Sequence, residues 1–294
     1  MNSEMKGIYV ASITPFDKEG NFNSRALDRL MERNLEEGAS GFFMGGSSAE
    51  CFLLSHKERL ATFETASRFL GRTHLIAHVG AISTKEAVQF ALEAKAMGFE
   101  HIAATPPLYY GFTPSEIASY YYDIADKAGM PVIVYNFPGN TKKEFDLENP
   151  VYRKLFTSGA IEGVKHTNQV VYQMERLINL NKDLVIFNGF DETMVAGLAL
   201  GAHGSIGSTF NCMLPHYLRI YKAFNEGKID QARQMQHRAN TIMEVFCRVG
   251  LIPAVKYAVC RQGIDVGVAR RPFGELNPQA KSLVDEVLEE NLIL

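Results

Sequence analysis

A lone lysine stands near the end of a short apolar run, Ile161-Glu162-Gly163-Val164-Lys165-His166-Thr167. If the run is a strand, alternation sends Gly163, Lys165 and Thr167 to one face and Val164 and His166 to the other. An amine sheltered beside a glycine loses hydration, and burial disfavours its charged form. As a neutral nucleophile it can attack a carbonyl and form a Schiff base. Most lysines at strand ends simply reach water, so this expectation depends on the company Lys165 keeps.

That company is polar. Gly45-Gly46-Ser47-Ser48-Ala49-Glu50 follows an apolar run, and its glycines let backbone N–H groups approach a ligand while Ser47 and Ser48 add hydroxyls. The combination reads as a carboxylate cradle, or alternatively as a tight turn whose serines cap the next helix. Tyr135, in Val134-Tyr135-Asn136-Phe137-Pro138, offers a phenol that can relay a proton if it faces inward, or a packed core tyrosine if it does not. Asn188-Gly189-Phe190-Asp191-Glu192 and Ser205-Ile206-Gly207-Ser208-Thr209 end two further runs. Their carboxylates and hydroxyls suit a polyhydroxylated ligand, although Asp191 and Glu192 could equally complement a helix dipole.

Other residues read as less reactive. Cys51, Cys212, Cys247 and Cys260 show neither a CxxC pair nor a ligand-like spacing to histidine, which points to reduced thiols. Cys51 reads as a small buried residue rather than a nucleophile. His74 and His78 share a strand face, but no third metal ligand lies at useful spacing, so neither is read as a ligand. The tyrosines at 109, 110, 120, 121 and 122 form an aromatic patch that fits a subunit contact.

The elements that must position these groups are legible from periodicity. Apolar, β-branched runs occupy residues 8–14, 41–46, 74–80, 101–105, 131–137, 161–167, 184–189 and 204–208. Amphipathic segments lie between them, among them 24–37, 55–70, 84–97, 114–128, 170–181 and 192–200. Ser55 with Glu58, and Thr113 with Glu116, have capping-box spacing. Eight strand–helix units spaced by about 25 to 30 residues, with no Gly-x-Gly-x-x-Gly after the first strand, predict a closed (β/α)8 TIM barrel rather than an open doubly wound sheet. The reading assigns residues 1–224 to the barrel. Residues 225–294, with helices at 228–250, 253–261 and 278–290, form a C-terminal helical extension packed on it.

Composition bounds the rest. The 294 residues are 46% hydrophobic and 21% charged, enough for one large barrel. A net charge of -3 with mixed signs gives no polyanion-binding surface, so nucleic acid is not an expected partner. Residues 1–6 are polar and the next apolar run is broken by Pro15 and Asp17, so no leader or membrane span is expected and the cytoplasm is the expected compartment.

With the strand ends aligned, the chain resembles the class I aldolase family that holds N-acetylneuraminate lyase and dihydrodipicolinate synthase. The resemblance rests on the five stretches quoted above, the last extended through Phe210 and Asn211, all in family order. It implies a pyruvate-handling site in which Lys165 forms the Schiff base, Tyr135 shuttles a proton, and Ser47 and Ser48 bind the carboxylate. Thr167, Gly189, Asp191, Glu192 and Ser208 would hold a sugar-acid chain. Asn140 stands where the synthase branch carries an arginine, and Ser47-Ser48 where it has two threonines, so the lyase branch is favoured. The implied reaction is reversible cleavage of N-acetylneuraminate into pyruvate and N-acetylmannosamine. The synthase reaction, or that of another pyruvate-dependent 2-oxo-acid aldolase, is the alternative. The resemblance further implies a homotetramer and no cofactor or metal, since the amine itself is the electron sink.

Overall fold

The β-branched runs fold as eight strands: β1 (Gly7–Ala11), β2 (Gly41–Met44), β3 (His74–His78), β4 (His101–Ala104), β5 (Val132–Asn136), β6 (Ile161–His166), β7 (Val185–Asn188) and β8 (Gly204–Gly207). In this computed structural model, which describes residues 5–291, they close in sequence order into a barrel with helices between the strands. Residues 1–4, on which the expectation about a leader partly falls, and residues 292–294 lie outside the described residues. The TIM-barrel reading therefore holds. No helix among the described residues is long and apolar enough to cross a membrane.

Local chemistry sets the boundaries. Ser55 and Thr113 each accept from the backbone N–H three residues on, while Glu58 and Glu116 reach back to the cap, completing both capping boxes. Sequence periodicity marked no helix between β5 and β6, yet Pro138–Thr141 and Pro150–Thr157 are helical there. Both open on a proline in the first turn, where a missing N–H costs nothing, and both are shorter than the ten or more residues over which periodicity separates a helix from a short apolar run. The expected helix at 192–200 is a 3-10 turn, Asp191–Thr193, followed by a short helix, Met194–Ala199. Beyond β8, the helices Phe210–Asn225, Ile229–Val249, Leu251–Arg261 and Pro278–Glu290 complete the chain.

The chain divides into two compact units, Met1–Gly7 with Leu70–Ile206, and Ile8–Phe69 with Gly207–Leu294. In the first, parallel pairing of β5 with β6 steps from Val132↔Ile161 to Ile133↔Gly163, so Glu162 is an extra, unpaired residue. Above that bulge the ladder runs unbroken and sets Tyr135 beside Lys165 and Asn136 beside His166. Gly163 is needed there because a Cβ would stand 2.5 Å from the Val185 carbonyl oxygen of β7. The aromatic patch splits: Tyr109 and Tyr110 are exposed, whereas Tyr120 and Tyr121 are buried core residues whose hydroxyls donate to the Ala81 and Ala104 carbonyls. A subunit contact is thus no explanation for that buried pair. Each such side chain contributes about 1.5–3 kcal/mol by leaving water, and its satisfied hydroxyl avoids a desolvation penalty.

Candidate active site

In the first unit, Lys165 and Tyr135 are register partners near the carboxyl ends of β6 and β5, and each is only 3% exposed. Lys165 Nζ lies 4.0 Å from the Tyr135 ring centroid, close enough for the aromatic face to attract a cation. The ring is wedged between the His78 imidazole, edge-on at 5.7 Å, and the stacked Phe137 ring at 5.8 Å. Tyr135 therefore faces inward with the lysine, resolving the choice that the sequence left open. Behind them, on the opposite strand face, His166 accepts at Nδ1 from Asn136 Nδ2 (3.3 Å) and donates from Nε2 to the Val170 carbonyl (3.2 Å). Burial, only partly opposed by the Val170 bond, pushes its pKa down to about 4, so the ring is neutral at neutral pH. This neutral imidazole locks the outer face of the strand that carries Lys165.

Thr167 and Gly189 meet directly. The Thr167 N–H donates to Asn136 O (2.8 Å) and the Gly189 N–H to His166 O (2.9 Å). A Cβ on Gly189 would stand 2.0 Å from Thr167 Oγ1, so no other residue fits. Thr167 Oγ1 is itself buried with no hydrogen-bond partner among the described residues, as is Thr105 Oγ1 at the end of β4. Buried hydroxyls rarely stay unpaired unless a ligand or water completes them. Asn188, by contrast, is consumed by its own loop: Nδ2 donates to Phe190 O (2.5 Å), and Oδ1 accepts from Thr193 Oγ1 (3.0 Å). That clamp fixes the turn bearing Asp191, which is buried, and Glu192, which is half-buried. Burial, offset by a backbone N–H and reinforced by the Asp191 charge, raises the Glu192 carboxyl above its usual range.

In the second unit, the turn after β2 presents Ser48 buried and Ser47 half-buried. Gly45 adopts φ +67° and Glu50 φ +58°, with Ala49 N–H on Gly46 O and Glu50 N–H on Ser47 O. The turn is held from two sides. Thr14 Oγ1 donates to Ala49 O (2.7 Å). The fully buried Glu50 carboxylate takes Lys256 Nζ at 2.6 Å on Oε1 and the Arg270 N–H at 2.6 Å on Oε2. Arg270 also forks onto Glu58 at 3.0 and 2.6 Å and lies over the Phe16 ring. Ser208 is half-buried; its carbonyl accepts from Asn211 Nδ2 (2.7 Å), which also donates to Ala11 O at the end of β1. Cys51 is buried, consistent with an unreactive packing residue. A cavity of about 940 Å³ in this unit, lined by Asp17, Glu58, Arg270 and Arg271 among others, includes none of the predicted site residues.

Sequence reasoning gave no role to His78, Thr105, Lys256 or Asn211. His78 and Thr105 close β3 and β4 much as Tyr135 closes β5, and parity along those strands was the available signal. Lys256 and Asn211 act across long sequence separations that no local pattern encodes.

Known proteins resemble this sequence and fold over nearly the whole chain. A model of the dihydrodipicolinate synthetase family matches residues 4–291. The chain belongs to that family. It is 36% identical over 271 residues to the N-acetylneuraminate lyase of Rhizobium meliloti (strain 1021), covering 92% of this chain and 90% of that protein. A Clostridium difficile protein solved in complex with mannosamine superposes with a TM-score of 0.93 at 34% identity, covering 98% of this chain and 99% of that one. The Ruminococcus gnavus sialic acid aldolase, solved as a catalytic lysine mutant, gives a TM-score of 0.93 at 27% identity over 98% and 96% of the two chains. This chain is accordingly an enzyme of the lyase and aldolase type.

Proposed function

We propose that this enzyme is a Schiff-base aldolase that reversibly cleaves N-acetylneuraminate to pyruvate and N-acetylmannosamine. The observation that carries the reading is the buried Lys165 amine lying against the Tyr135 ring, on paired strands of a closed parallel barrel. Carboxyl ends of barrel strands are where reactive groups gather in this architecture. The neutral amine adds to the C2 carbonyl of the 2-oxo acid and, with loss of water, gives an iminium. The C4 hydroxyl proton leaves, a C4 carbonyl forms, and the C3–C4 pair passes into the iminium to give an enamine. Protonation at C3 and hydrolysis then release pyruvate and return the amine.

Tyr135 is the proton carrier in this scheme. Ser47, Ser48 and the backbone of their turn bind the carboxylate. Thr167, Gly189, Asp191, Glu192 and Ser208 hold the hydroxylated chain, and the unpaired Thr167 hydroxyl supports that role. The same reading takes residues 1–224 as the catalytic barrel, residues 225–294 as its extension, and the enzyme as a cytoplasmic homotetramer. Sedimentation velocity checks the assembly.

Incubation with pyruvate and borohydride should attach a reduced three-carbon adduct to Lys165, located by peptide mass mapping. An adduct on a different lysine, or none, removes the mechanism. Comparing pyruvate release from N-acetylneuraminate with condensation on aspartate semialdehyde then separates the lyase from the synthase reaction.

A further inference from the structure

The amino-terminal ends of the strands in the first unit hold a second polar cluster. His74 opens β3 and His101 opens β4, with Glu100 just before it. The β3–β4 ladder pairs Ile76 with His101, and alternation places His74 on the same face as Ile76, so both imidazoles share one side. One ligand atom from each of His74, Glu100 and His101 lies within 4.8 Å of the other two, and no other such group occurs among the described residues. The sequence gives His74 no third ligand at useful spacing, but in the fold His101 at the start of β4 and Glu100 just before it come beside it.

A second observation bears on what the cluster takes. The bulge in β6 turns Glu162 toward His101, whose Nδ1 lies 3.2 Å from Glu162 Oε1 and 3.4 Å from Oε2. With Nδ1–H donated to that carboxylate, Nε2 keeps its lone pair for a ligand. A carboxylate behind a histidine in this way is the usual outer arrangement around a metal-bound imidazole. Tetrahedral bonds of about 2.1 Å need ligand atoms about 3.4 Å apart, so closure from separations of up to 4.8 Å asks for a contraction of as much as about 1.4 Å. Glu100 is exposed and outside the strand ladder, so rotation of its side chain can move its carboxylate toward the imidazoles.

We infer that the foot of β3 and β4 binds a divalent transition metal of the Zn²⁺ type through His74, Glu100 and His101, with Glu162 orienting His101. Two imidazoles and one carboxylate select such an ion over Mg²⁺ or Ca²⁺, which prefer oxygen donors. The ion would tie together the starts of two strands and, through Glu162, a third. Glu162 lies three residues before Lys165, about 10 Å along the strand, so the ion's role is structural and the amine's chemistry does not pass through it.

The test uses the full chain, stripped with chelator, desalted and titrated with ZnCl2 by calorimetry. One saturable Zn²⁺ per chain is expected, together with a rise in melting temperature of roughly 5 °C at hundredfold excess over Kd. Glu162→Gln should weaken binding by about 10- to 100-fold. His101→Ala and Glu100→Gln should each lose saturable binding; Glu100 is exposed, so its variant keeps the test valid if the histidine variant folds poorly. No saturable uptake, or uptake unchanged by Glu100→Gln, overturns the site. Neither result bears on the adduct at Lys165, so the two proposals fail separately.

Discussion

Two buried lysines sit in contrasting surroundings, and on the proposed reading they divide the work of this molecule between them. Lys165, in the first unit, rests its amine on an aromatic ring; Lys256, in the second and 1% exposed, sets its amine against the Glu50 carboxylate at 2.6 Å, the Val268 carbonyl at 3.0 Å and the Phe16 ring. Burial alone does not make an amine reactive. Desolvation pushes Lys256 down to about 8, with the Glu50 charge opposing it, yet an amine gripped by a carboxylate and a carbonyl has no direction from which to attack. What it does is hold the left-handed Glu50 that ends the Ser47-Ser48 turn. Lys165 stands instead beside a tyrosine face on paired strands, the arrangement on which the proposed Schiff-base chemistry rests.

The comparison breaks most sharply on activity. Lys165→Ala should lower cleavage of N-acetylneuraminate by about 10⁴-fold or more and erase the borohydride adduct, with circular dichroism and melting temperature little changed. Comparable loss in a folded Lys256 variant that retains the Ser47-Ser48 turn would end the division of labour. Tyr135→Phe should cost about 10²- to 10⁴-fold in kcat while the adduct with pyruvate still forms, read by mass spectrometry. An unchanged kcat would remove the phenol from proton transfer.

Stability sharpens the other half. Lys256→Ala leaves a buried carboxylate without its cation and should lose about 3–5 kcal/mol in denaturant unfolding, while adding Glu50→Gln should recover part of it. Lys256→Met supplies the pH reading. Between about pH 8 and 10.5 the unfolded chain keeps a proton that the folded chain has shed, so wild type should gain stability relative to Lys256→Met as pH rises through that window. The smallest effect is expected at His166. Its folded pKa, near 4, lies below the ordinary 6.5, so unfolding binds an extra proton between those values. Stability from this group should fall by about 3 kcal/mol as pH drops from 6.5 to 4, and His166→Gln should flatten that slope in thermal melts.

Local periodicity was enough for the strands because each is a short apolar run, and parity correctly separated Lys165 from His166. Parity failed at the lower end of β6, since the extra residue at Glu162 is a property of two strands paired and not of one strand read alone. The helix Pro150–Thr157 escaped notice for its brevity. Glu50 was visible as part of a turn, but its partner lies some two hundred residues downstream, and a single ion pair leaves no periodic trace. His78 and Thr105 were overlooked for the opposite reason: each sat on a strand already identified, and only the ring contact with Tyr135 and the unpaired hydroxyl gave them meaning.

The unpaired residue in β6 has a practical corollary. From Ile133↔Gly163 to Asn136↔His166 the hydrogen-bonded rungs are regular, and the single irregularity sits beneath them. Height and tilt of Lys165 are thus set by regular rungs that lie above the one irregular joint. An engineer could replace His74, Glu100, His101 and Glu162 with a sensor or a tether and leave turnover at the far end untouched.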